Sequence, residues 1–340
     1  MLSNIRKIET DICIIGAGPV GLFAVFEAGL LKMRCHVVDV LPQLGGQLSE
    51  IYPKKPIYDI PGLPEVKAQD LIDNLRRQIE PFHPTFTLGE KVTALQRIED
   101  GSFVLTTSDE TVIHCKVVVI AAGLGCFEPR KPELENLEYF EGKGIVYMVK
   151  DPETFRNKKI VIAGGGDSAL DWTIYLADLA EHVTLIHRND SFRGAPDSAD
   201  KVAELASRGK IQLVLNATLK SAQGNGVMNA VSYSSKEKEL KLLEADYLIP
   251  LFGLSPKLGP IADWGLQLDR SAIQVNTLDY ATNIDGIFAI GDINTYPGKL
   301  KLILCGFHEA ALMAQSAFRY VYPQQKISFK YTTVNGVTSF

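Results

Sequence analysis

The fold of this chain is decided by residues 11–24, Asp11-Ile-Cys-Ile-Ile-Gly-Ala-Gly-Pro-Val-Gly-Leu-Phe-Ala24. The apolar run that opens the stretch is typical of a buried strand in a parallel sheet, and a helical pattern follows the glycines. In Gly16-x-Gly18-x-x-Gly21, the first glycine permits a tight turn, the second lets backbone approach a pyrophosphate, and the third lets the helix pack on the strand. Free N–H groups at the start of the helix then face the phosphates. The stretch predicts a dinucleotide-binding domain.

The second strand of this unit, Cys35-His-Val-Val-Asp-Val40, carries Asp39 near its end. An acid about 20 residues beyond the glycine triplet suits the hydroxyls of an adenosine ribose. The same carboxylate repels a 2′-phosphate. A glycine triplet alone arises for purely backbone reasons, but here the strand, the helix and the acid all occur at the expected spacing.

The pattern occurs again in residues 159–169, Lys159-Ile-Val-Ile-Ala-Gly-Gly-Gly-Asp-Ser-Ala169. An apolar strand leads into Gly164-x-Gly166-x-x-Ala169, and a helix is predicted to follow through about Leu179. This second motif predicts a second dinucleotide-binding domain.

The strand after the second motif has no acid at its end. Val183-Thr-Leu-Ile-His187 continues into Arg188, and Arg193 lies five residues further on. Guanidinium groups suit a phosphate dianion, and the missing carboxylate removes the repulsion. The loop therefore predicts a site for the 2′-phosphate of NADPH, with a solvated basic loop as the alternative. Two dinucleotide folds with opposite ribose chemistry indicate FAD in the first and NADPH in the second.

An antiparallel meander follows each nucleotide motif, over residues 90–123 and again over 211–253, with a strand that leads back into the core. We predict an α/β protein of two Rossmann-like, three-layer dinucleotide-binding domains, each with a β-meander flap. The NADPH domain is predicted as an insertion in the FAD domain. The predicted boundaries are 1–124 for the first FAD part, 125–253 for NADPH and 254–340 for the second FAD part.

Residues 281–292, Ala281-Thr-Asn-Ile-Asp-Gly-Ile-Phe-Ala-Ile-Gly-Asp292, predict an apolar strand ending in Gly-Asp. Open α/β sheets bind ligands at the carboxyl ends of their strands. Asp292 is therefore expected to bind a hydroxyl of the flavin's ribityl arm, the alternative being an ordinary turn aspartate. The helix predicted from about Leu302 to Val321 would direct its positive N-terminus at the pyrimidine edge of the flavin.

The composition is that of a soluble enzyme. Of 340 residues, 46% are hydrophobic and 22% charged, and the net charge of −5 argues against general affinity for nucleic acid. We expect no membrane span and no secretory signal. The five cysteines are odd in number and form no Cys-x-x-Cys, which favours a reduced, cytoplasmic protein. No metal site is expected.

In this order the motifs resemble those of the thioredoxin-reductase group of flavoproteins, and more closely the thioredoxin-reductase-type ferredoxin–NADP reductases. The resemblance covers nearly the whole chain. Its motifs are Gly16–Gly21, Leu41–Gln47, Tyr52–Gly62, Gly164–Trp172 and Gly291–Lys299. It implies a homodimer in which the tail of one subunit, residues 322–340, covers the flavin of the other.

The resemblance also implies the residues that contact each cofactor. For FAD these are Gly16, Gly18, Pro19, Gly21, Asp39, Gln47, Tyr52, Val92, Phe127, Asp292 and Thr333. Two aromatic rings, of Tyr52 and Tyr331, would stack on the two faces of the isoalloxazine and exclude water and dioxygen. For NADPH they are Gly164, Gly166, Asp167, Ser168, Ala169, His187, Arg188 and Arg193.

A missing dithiol decides the subclass. A thioredoxin reductase has Cys-x-x-Cys before its second glycine motif, where this chain has Tyr147-Met-Val-Lys-Asp151. Without a dithiol, electrons cannot pass to a protein disulfide by thiol exchange. One further departure is Asn189, where the resemblance implies a second arginine, so discrimination against NADH is expected to be reduced.

We therefore predict a ferredoxin–NADP+ oxidoreductase whose FAD mediates between hydride transfer from NADPH and one-electron transfer to ferredoxin or flavodoxin. No acid–base or nucleophilic side chain is required. The first alternative is an NAD(P)H-dependent flavin reductase or oxidase with a small acceptor. The second is a non-catalytic redox sensor that binds both dinucleotides.

Overall fold

The chain divides into two compact units, one made of residues 1–126 and 256–340 and the other of residues 127–255. The computed structural model describes residues 6–125, 128–235, 239–255, 257–327, 332 and 336–339. The predicted boundaries, after residues 124 and 253, lie close to those between the units. Within the described ranges, no helix has the length and apolar character needed to cross a membrane.

The first unit begins with ten strands and three helices. They are β1 (Lys7–Glu9), β2 (Ile12–Ile15), α1 (Pro19–Leu30), β3 (Cys35–Asp39), α2 (Gln47–Ile51), β4 (Pro56–Ile57), β5 (Val66–Lys67), α3 (Ala68–Ile79), β6 (Thr85–Leu88), β7 (Val92–Arg97), β8 (Phe103–Thr107), β9 (Val112–Cys115) and β10 (Val117–Ile120). The second unit then intervenes. The first unit resumes with β20 (Leu268–Asp269), β21 (Ala272–Gln274), β22 (Ile287–Ala289), β23 (Asn294–Thr295) and α7 (Ile303–Val321).

The second unit is a single continuous stretch of chain. Its elements are β11 (Glu128–Pro129), α4 (Leu137–Phe140), β12 (Lys159–Ala163), α5 (Asp167–Leu176), β13 (His182–Ile186), α6 (Pro196–Ser207), β14 (Ile211–Val214), β15 (Thr218–Asn225), β16 (Val227–Ser234), β17 (Leu240–Glu244), β18 (Tyr247–Pro250) and β19 (Leu254–Ser255). Short β11 and β19 pair antiparallel at the two ends of the stretch.

A five-stranded parallel sheet in the order β22-β10-β2-β3-β6 forms the centre of the first unit. Because successive side chains of a strand point to opposite faces, Ile12 and Ile14 lie in the core that faces the helices, whereas Cys13 and Ile15 lie in the second core. That second core is shared with the four-stranded sheet β1-β9-β8-β7. Helices, parallel sheet and meander thus form three layers, and the predicted α/β fold is confirmed.

The first meander has one strand more than the sequence predicts. β7, β8 and β9 form the expected antiparallel set, with a tight turn near Gly101. β1 then pairs in parallel with β9 and extends the sheet at its edge. β1 is only three residues long, too short for its pattern to distinguish it from coil.

The second unit repeats the plan with a four-stranded parallel sheet in the order β14-β13-β12-β18 and a separate antiparallel sheet β15-β16-β17. One prediction is wrong here. The sequence pattern predicts residues 211–214 as part of the flap, but they form β14 and pair in parallel with β13. The cause is α6, which connects β13 to β14 and so makes a β–α–β crossover that returns the chain to the parallel sheet.

Candidate functional site

Two of the three glycines in the first glycine turn have no room for a side chain, and the third faces open space. Gly16 has φ +112°, and a Cβ on it would lie 2.3 Å from the carbonyl oxygen of Ala121. A Cβ on Gly21 would lie 2.0 Å from the carbonyl oxygen of Gly16, so the helix packs directly on the turn. A Cβ on Gly18 meets nothing within 4 Å. α1 begins at Pro19 without a side-chain cap, which leaves first-turn N–H groups for a ligand.

Asp39 lies at the end of β3, beside this turn. Its Oδ2 accepts a hydrogen bond from the Ala17 N–H at 2.6 Å, and its Oδ1 accepts one from the Leu41 N–H at 2.8 Å. Burial raises the pKa of Asp39, and the backbone donors oppose that shift. Each carboxylate oxygen retains a second acceptor position, so the side chain can accept further bonds from two hydroxyls.

The loop between β3 and α2 folds over the glycine turn. A Cβ on Gly46 would lie 3.2 Å from the Cα of Gly18, so the two backbones nearly touch. The Nε2 of Gln47 would be 3.3 Å from a Cβ on Gly123. The loop therefore places Gln47 near Gly123, which follows β10, on the same edge of the sheet as the glycine turn.

Asp292 joins the same region from the far end of the chain. β22 ends at Ala289, and Asp292 lies in the following 3₁₀ turn Gly291–Ile293 rather than at the end of the strand itself. Burial raises the pKa of Asp292. The pKa of Tyr52 is raised to about 12, first by burial and second by the negative charge of Asp292. Tyr52 and Asp292 are thus electrostatic neighbours.

Val20 brings the N-termini of two helices together. A Cβ on Gly306 of α7 would lie 2.3 Å from Cγ2 of Val20, and a Cβ on Gly291 would lie 3.4 Å from the same side chain. α7 begins at Ile303, after an N-cap Leu302 that provides no side-chain bond. The positive ends of α1 and α7 therefore lie close together, a pairing that favours a ligand carrying negative charge.

Glu309 is a functional candidate that the sequence analysis missed. It is fully buried on α7, and its carboxylate accepts four hydrogen bonds from the segment that contains Asp292. The donors are the N–H of Gly291 (2.6 Å), Nδ2 of Asn294 (2.9 Å), the hydroxyl of Tyr296 (2.9 Å) and Nζ of Lys299. A glutamate on the apolar stripe of a predicted helix was the available clue, because glutamate is almost never buried unless paired.

The glycine turn of the second unit has the same design. A Cβ on Gly164 would lie 2.6 Å from the carbonyl oxygen of Leu251, and one on Gly165 would lie 2.1 Å from the His187 ring. A Cβ on Gly166 meets nothing within 4 Å. α5 begins at Asp167 without a side-chain cap, so its first N–H groups also face open space.

The loop after β13 is fastened to this turn. The Arg193 N–H donates to the carbonyl oxygen of Gly165 at 2.7 Å, and the Ala195 N–H donates to Oδ1 of Asp167 at 2.7 Å. Arg188 and Arg193 are exposed. The pKa of His187 is lowered, chiefly by burial and further by the positive charges of these two arginines. The loop thus holds two guanidinium groups beside the glycine turn.

Three of the remaining predicted residues lie in the described part of the chain, and three do not. Val92 is buried in the core between the parallel sheet and the meander. Ser168 and Ala169 lie in the first turn of α5, and Ala169 is fully buried. Phe127, Tyr331 and Thr333 lie outside the described residues.

The segment that replaces the dithiol carries a tyrosine–carboxylate pair. The hydroxyl of Tyr147 donates to Oε1 of Glu141 at 2.5 Å, and Nζ of Lys131 lies 2.7 Å from the same oxygen. Burial and the Glu141 carboxylate raise the pKa of Tyr147. In the described part of the chain, no group of three or more His, Cys, Asp or Glu side chains is placed to hold a metal ion.

Comparison with known proteins gives consistent matches over almost the full length. Residues 10–311 match the family described as pyridine nucleotide-disulphide oxidoreductase. The chain is 60% identical over 336 residues to ferredoxin–NADP reductase 1 of Christiangramia forsetii, covering 98% of this chain and 95% of that protein. It is also 60% identical over 334 residues to ferredoxin–NADP reductase of Flavobacterium johnsoniae, with 98% and 95% covered.

A solved structure shows the same fold. The thioredoxin reductase of Lactococcus lactis, in its FR conformation, matches with a TM-score of 0.80 at 25% identity. The match covers 92% of this chain and 99% of that one. This chain therefore shares its two-domain architecture with that thioredoxin reductase.

Proposed function

Because the chain belongs to the pyridine nucleotide-disulphide oxidoreductase family and has two glycine turns but no Cys-x-x-Cys, we propose that it is a ferredoxin–NADP+ oxidoreductase. The observation that carries the proposal is the pair of open, uncapped helix N-termini with opposite side-chain chemistry beside them. Asp39 flanks the first, and Arg188 and Arg193 flank the second. The names of the relatives at 60% identity support the same activity.

The first unit fits FAD. The open space at Gly18 and the uncapped start of α1 suit a pyrophosphate, and Asp39 has acceptor capacity left for ribose hydroxyls. Asp292 and Tyr52 are partly desolvated neighbours on the same side of the unit. We assign Asp292 to the ribityl hydroxyls and Tyr52 to one face of the ring. When bound, FAD supplies the redox chemistry by accepting a hydride and releasing electrons singly.

The second unit fits NADPH. Gly166 is open, α5 starts without a cap, and Arg188 and Arg193 lie on a loop that is bonded to the turn. We assign the two arginines to the 2′-phosphate, which guanidinium groups bind through paired charge-assisted hydrogen bonds. Asn189 supplies no positive charge, so the preference for NADPH over NADH is expected to rest on Arg188 and Arg193.

An anaerobic titration tests the proposal. The purified protein is expected to be yellow, to lose its absorbance near 450 nm with NADPH, and to regain it when oxidised ferredoxin is added. Fast reoxidation by dioxygen with slow ferredoxin reduction would instead indicate a flavin reductase or oxidase. FAD binding without bleaching by NADPH would indicate a sensor.

A paired substitution tests the assignment of the second cofactor. Arg188→Ala is expected to raise the Kd for NADP+ roughly tenfold or more, because a charge-assisted contact to phosphate is lost. The Kd for NAD+, which lacks that phosphate, is expected to stay within about twofold. Arg208→Ala, which changes an exposed arginine at the end of α6, is the control. Equal losses for both nucleotides in Arg188→Ala would contradict the assignment.

We also propose a homodimer in which the C-terminal tail serves the flavin site of the second copy. Nζ of Lys32, just beyond α1, lies 2.9 Å from the carbonyl oxygen of Thr338 and 2.7 Å from that of Ser339. α1 has 12 residues and spans roughly 18 Å, with the glycine turn at its opposite end. The end of the tail thus lies at the end of α1 that is farther from the flavin site of its own subunit.

Mixed dimers test this arrangement. Chains ending at residue 327 are expected to bind FAD and to show faster reoxidation by dioxygen, because one face of the flavin is uncovered. Full-length Asp292→Ala chains are expected to bind FAD weakly, and mixing them with the shortened chains is expected to restore slow reoxidation in the mixed dimers. No restoration, or a monomer by light scattering, would contradict the proposal. We also propose that the enzyme is cytoplasmic, because its cysteines are odd in number and form no Cys-x-x-Cys.

A further inference from the structure

We propose that Glu309, together with Lys299, is a positioning residue of the flavin site: it holds the Asp292 turn and the N-terminus of α7 in one fixed arrangement, and its charge balances that of Lys299 beside the flavin. This inference rests on the proposed FAD site. It assigns a role to two residues that the sequence motifs left without one.

The geometry connects two parts of the site through one carboxylate. Glu309 lies in the second turn of α7, whose first turn packs against Val20 at the start of α1. Its Oε2 accepts from the Gly291 N–H, immediately before Asp292, and from Nδ2 of Asn294, immediately after the 3₁₀ turn. The bonds therefore bracket Asp292 on both sides. A shift of Asp292 relative to α7 would break at least one of them.

The second oxygen of Glu309 completes the arrangement. Oε1 accepts from the Tyr296 hydroxyl and from Nζ of Lys299, whose ammonium also lies 5.3 Å from the centre of the Tyr296 ring. The side chain of Glu309 is 0% exposed and that of Lys299 is 6% exposed. A buried pair of this kind adds little to stability compared with apolar side chains, whereas loss of one partner leaves an uncompensated charge. A role in positioning therefore explains the pair better than stability alone.

The two charges act on the flavin site in opposite directions. Burial has the largest effect on the pKa of Asp292 and raises it, the positive charges of Lys301 and Lys299 lower it, and the negative charge of Glu309 raises it. Lys299 and Glu309 are thus both within electrostatic range of the side chain assigned to the ribityl arm. Reduction adds negative charge at the cofactor, so Lys299 favours and Glu309 disfavours the reduced form.

The test uses FAD affinity and the midpoint potential of bound FAD, measured by reconstitution of apoprotein and by photoreduction without NADPH or ferredoxin. Glu309→Gln is expected to raise the Kd for FAD roughly tenfold, because the carboxylate that four donors share is lost. The midpoint potential of Glu309→Gln is expected to rise relative to wild type, because a negative charge near the cofactor is lost. The midpoint potential of Lys299→Met is expected to fall relative to wild type, because a positive charge near the cofactor is lost.

Asp11→Asn is the matched control. Asp11 has an exposed partner, Arg34, and lies at the opposite end of β2 from the glycine turn, in the same unit. The Asp11→Asn variant is expected to have a lower thermal unfolding temperature but a Kd for FAD within about twofold of wild type, because distant sites act independently. A purely structural role for Glu309 predicts the same result in Glu309→Gln. That result, or potential shifts of the same sign in both charge variants, would overturn the proposal.

A milder variant keeps the test decisive if Glu309→Gln does not fold. Tyr296→Phe removes one hydrogen bond to Oε1 and keeps the ring beside Lys299. It is expected to weaken FAD binding about threefold at an unchanged unfolding temperature, and unchanged FAD binding would overturn the proposal. A wild type that binds FAD but fails to reduce ferredoxin would contradict the proposed function and leave these measurements valid.

Discussion

His36 shows how a single side chain on the strand that leads to Asp39 is kept neutral. Its ring is 0% exposed, with Nδ1 2.7 Å from the Thr85 hydroxyl and Nε2 2.9 Å from the Thr87 hydroxyl. Hydroxyls serve as donor or acceptor, so both ring nitrogens of a neutral imidazole are satisfied. Burial, with a further contribution from the charge of Arg6, lowers the pKa of His36 to about 4.

This lowered pKa predicts acid sensitivity of the first unit. Between pH 6.5 and 4 the unfolded chain binds a proton at His36 that the folded chain does not, so stability falls as the pH falls through that window. For each unit by which the pH falls, proton binding at His36 in the unfolded chain is expected to raise the unfolding equilibrium constant by up to about tenfold. His36→Gln keeps a donor and an acceptor for the threonines and is expected to flatten the dependence of the unfolding temperature on pH.

The control for this measurement is His182→Gln, which changes an exposed histidine at the start of β13. It is expected to retain the pH dependence of wild type. An unchanged pH profile in His36→Gln would show that other groups account for the acid sensitivity.

Asp39 supports a second prediction at this scale. Asp39→Ala leaves the N–H groups of Ala17 and Leu41 without their side-chain acceptor and removes the acceptor for ribose hydroxyls. FAD affinity is expected to fall by about tenfold or more, with a smaller loss in Asp39→Asn, which keeps one acceptor oxygen. Fluorescence quenching of FAD on mixing with apoprotein measures both. Equal affinity for FAD in Asp39→Ala and wild type would show that Asp39 does not contribute to FAD binding.

Sequence alone identifies Asp39 but not Glu309, and the reason is physical. The role of Asp39 follows from its distance along the chain from a glycine turn, because a strand, a turn and a helix fix that geometry locally. The partners of Glu309 lie 10 to 18 residues before it, in a 3₁₀ turn, in the two-residue strand β23 and in the loop after it, and no repeating pattern records which of them meet. The stacking role of Tyr52 likewise came only from resemblance.

At the scale of elements, the contact of α1 with α7 depends on a glycine. The two helices approach closely at Gly306, since a Cβ there would lie 2.3 Å from Cγ2 of Val20. Gly306→Ala gains about 1 kcal/mol in helix propensity but overpacks the contact, which costs about 1–3 kcal/mol. We expect net destabilisation together with weaker FAD binding.

A compensating change tests the cause. The double variant Val20→Ala with Gly306→Ala removes the methyl groups that clash and is expected to recover FAD affinity to within about twofold of wild type. Urea unfolding and FAD titration on both variants provide the measurement. If the double variant is no better than Gly306→Ala alone, the contact with Val20 is not what requires glycine.

Element boundaries were predictable where periodicity is strong. α7 begins at Ile303 against a predicted start near Leu302, because its apolar positions recur over five turns. The prediction for residues 211–214 is wrong because a stretch as short as Ile211-Gln-Leu-Val214 fits either a flap strand or a core strand. The preceding helix, α6, decides between them, because it makes the crossover that returns the chain to the parallel sheet.

At the scale of the whole molecule, the two units are expected to respond to different ligands. FAD is expected to slow amide hydrogen exchange in peptides from 12–39 and 287–321, and NADP+ in peptides from 160–214. Each ligand stabilises the unit that binds it, and amide exchange in the other unit is expected to stay near its rate without ligand. Exchange followed by mass spectrometry, with each ligand added alone, makes the comparison. Protection of 160–214 by FAD alone would contradict separate sites.

The insertion of the second unit has a consequence for how the protein is made. In the sheet order β22-β10-β2-β3-β6, the edge of β10 receives its partner only when residues 287–289 emerge from the ribosome. The whole second unit is synthesised in between and can complete its own sheet first. An unpaired edge of four consecutive apolar residues, Val117–Ile120, is a template for wrong pairing during that interval. Slower translation through residues 121–286 would therefore lower the yield of native enzyme by prolonging the nascent chain's exposure, and a chaperone that covers extended strands would recover it.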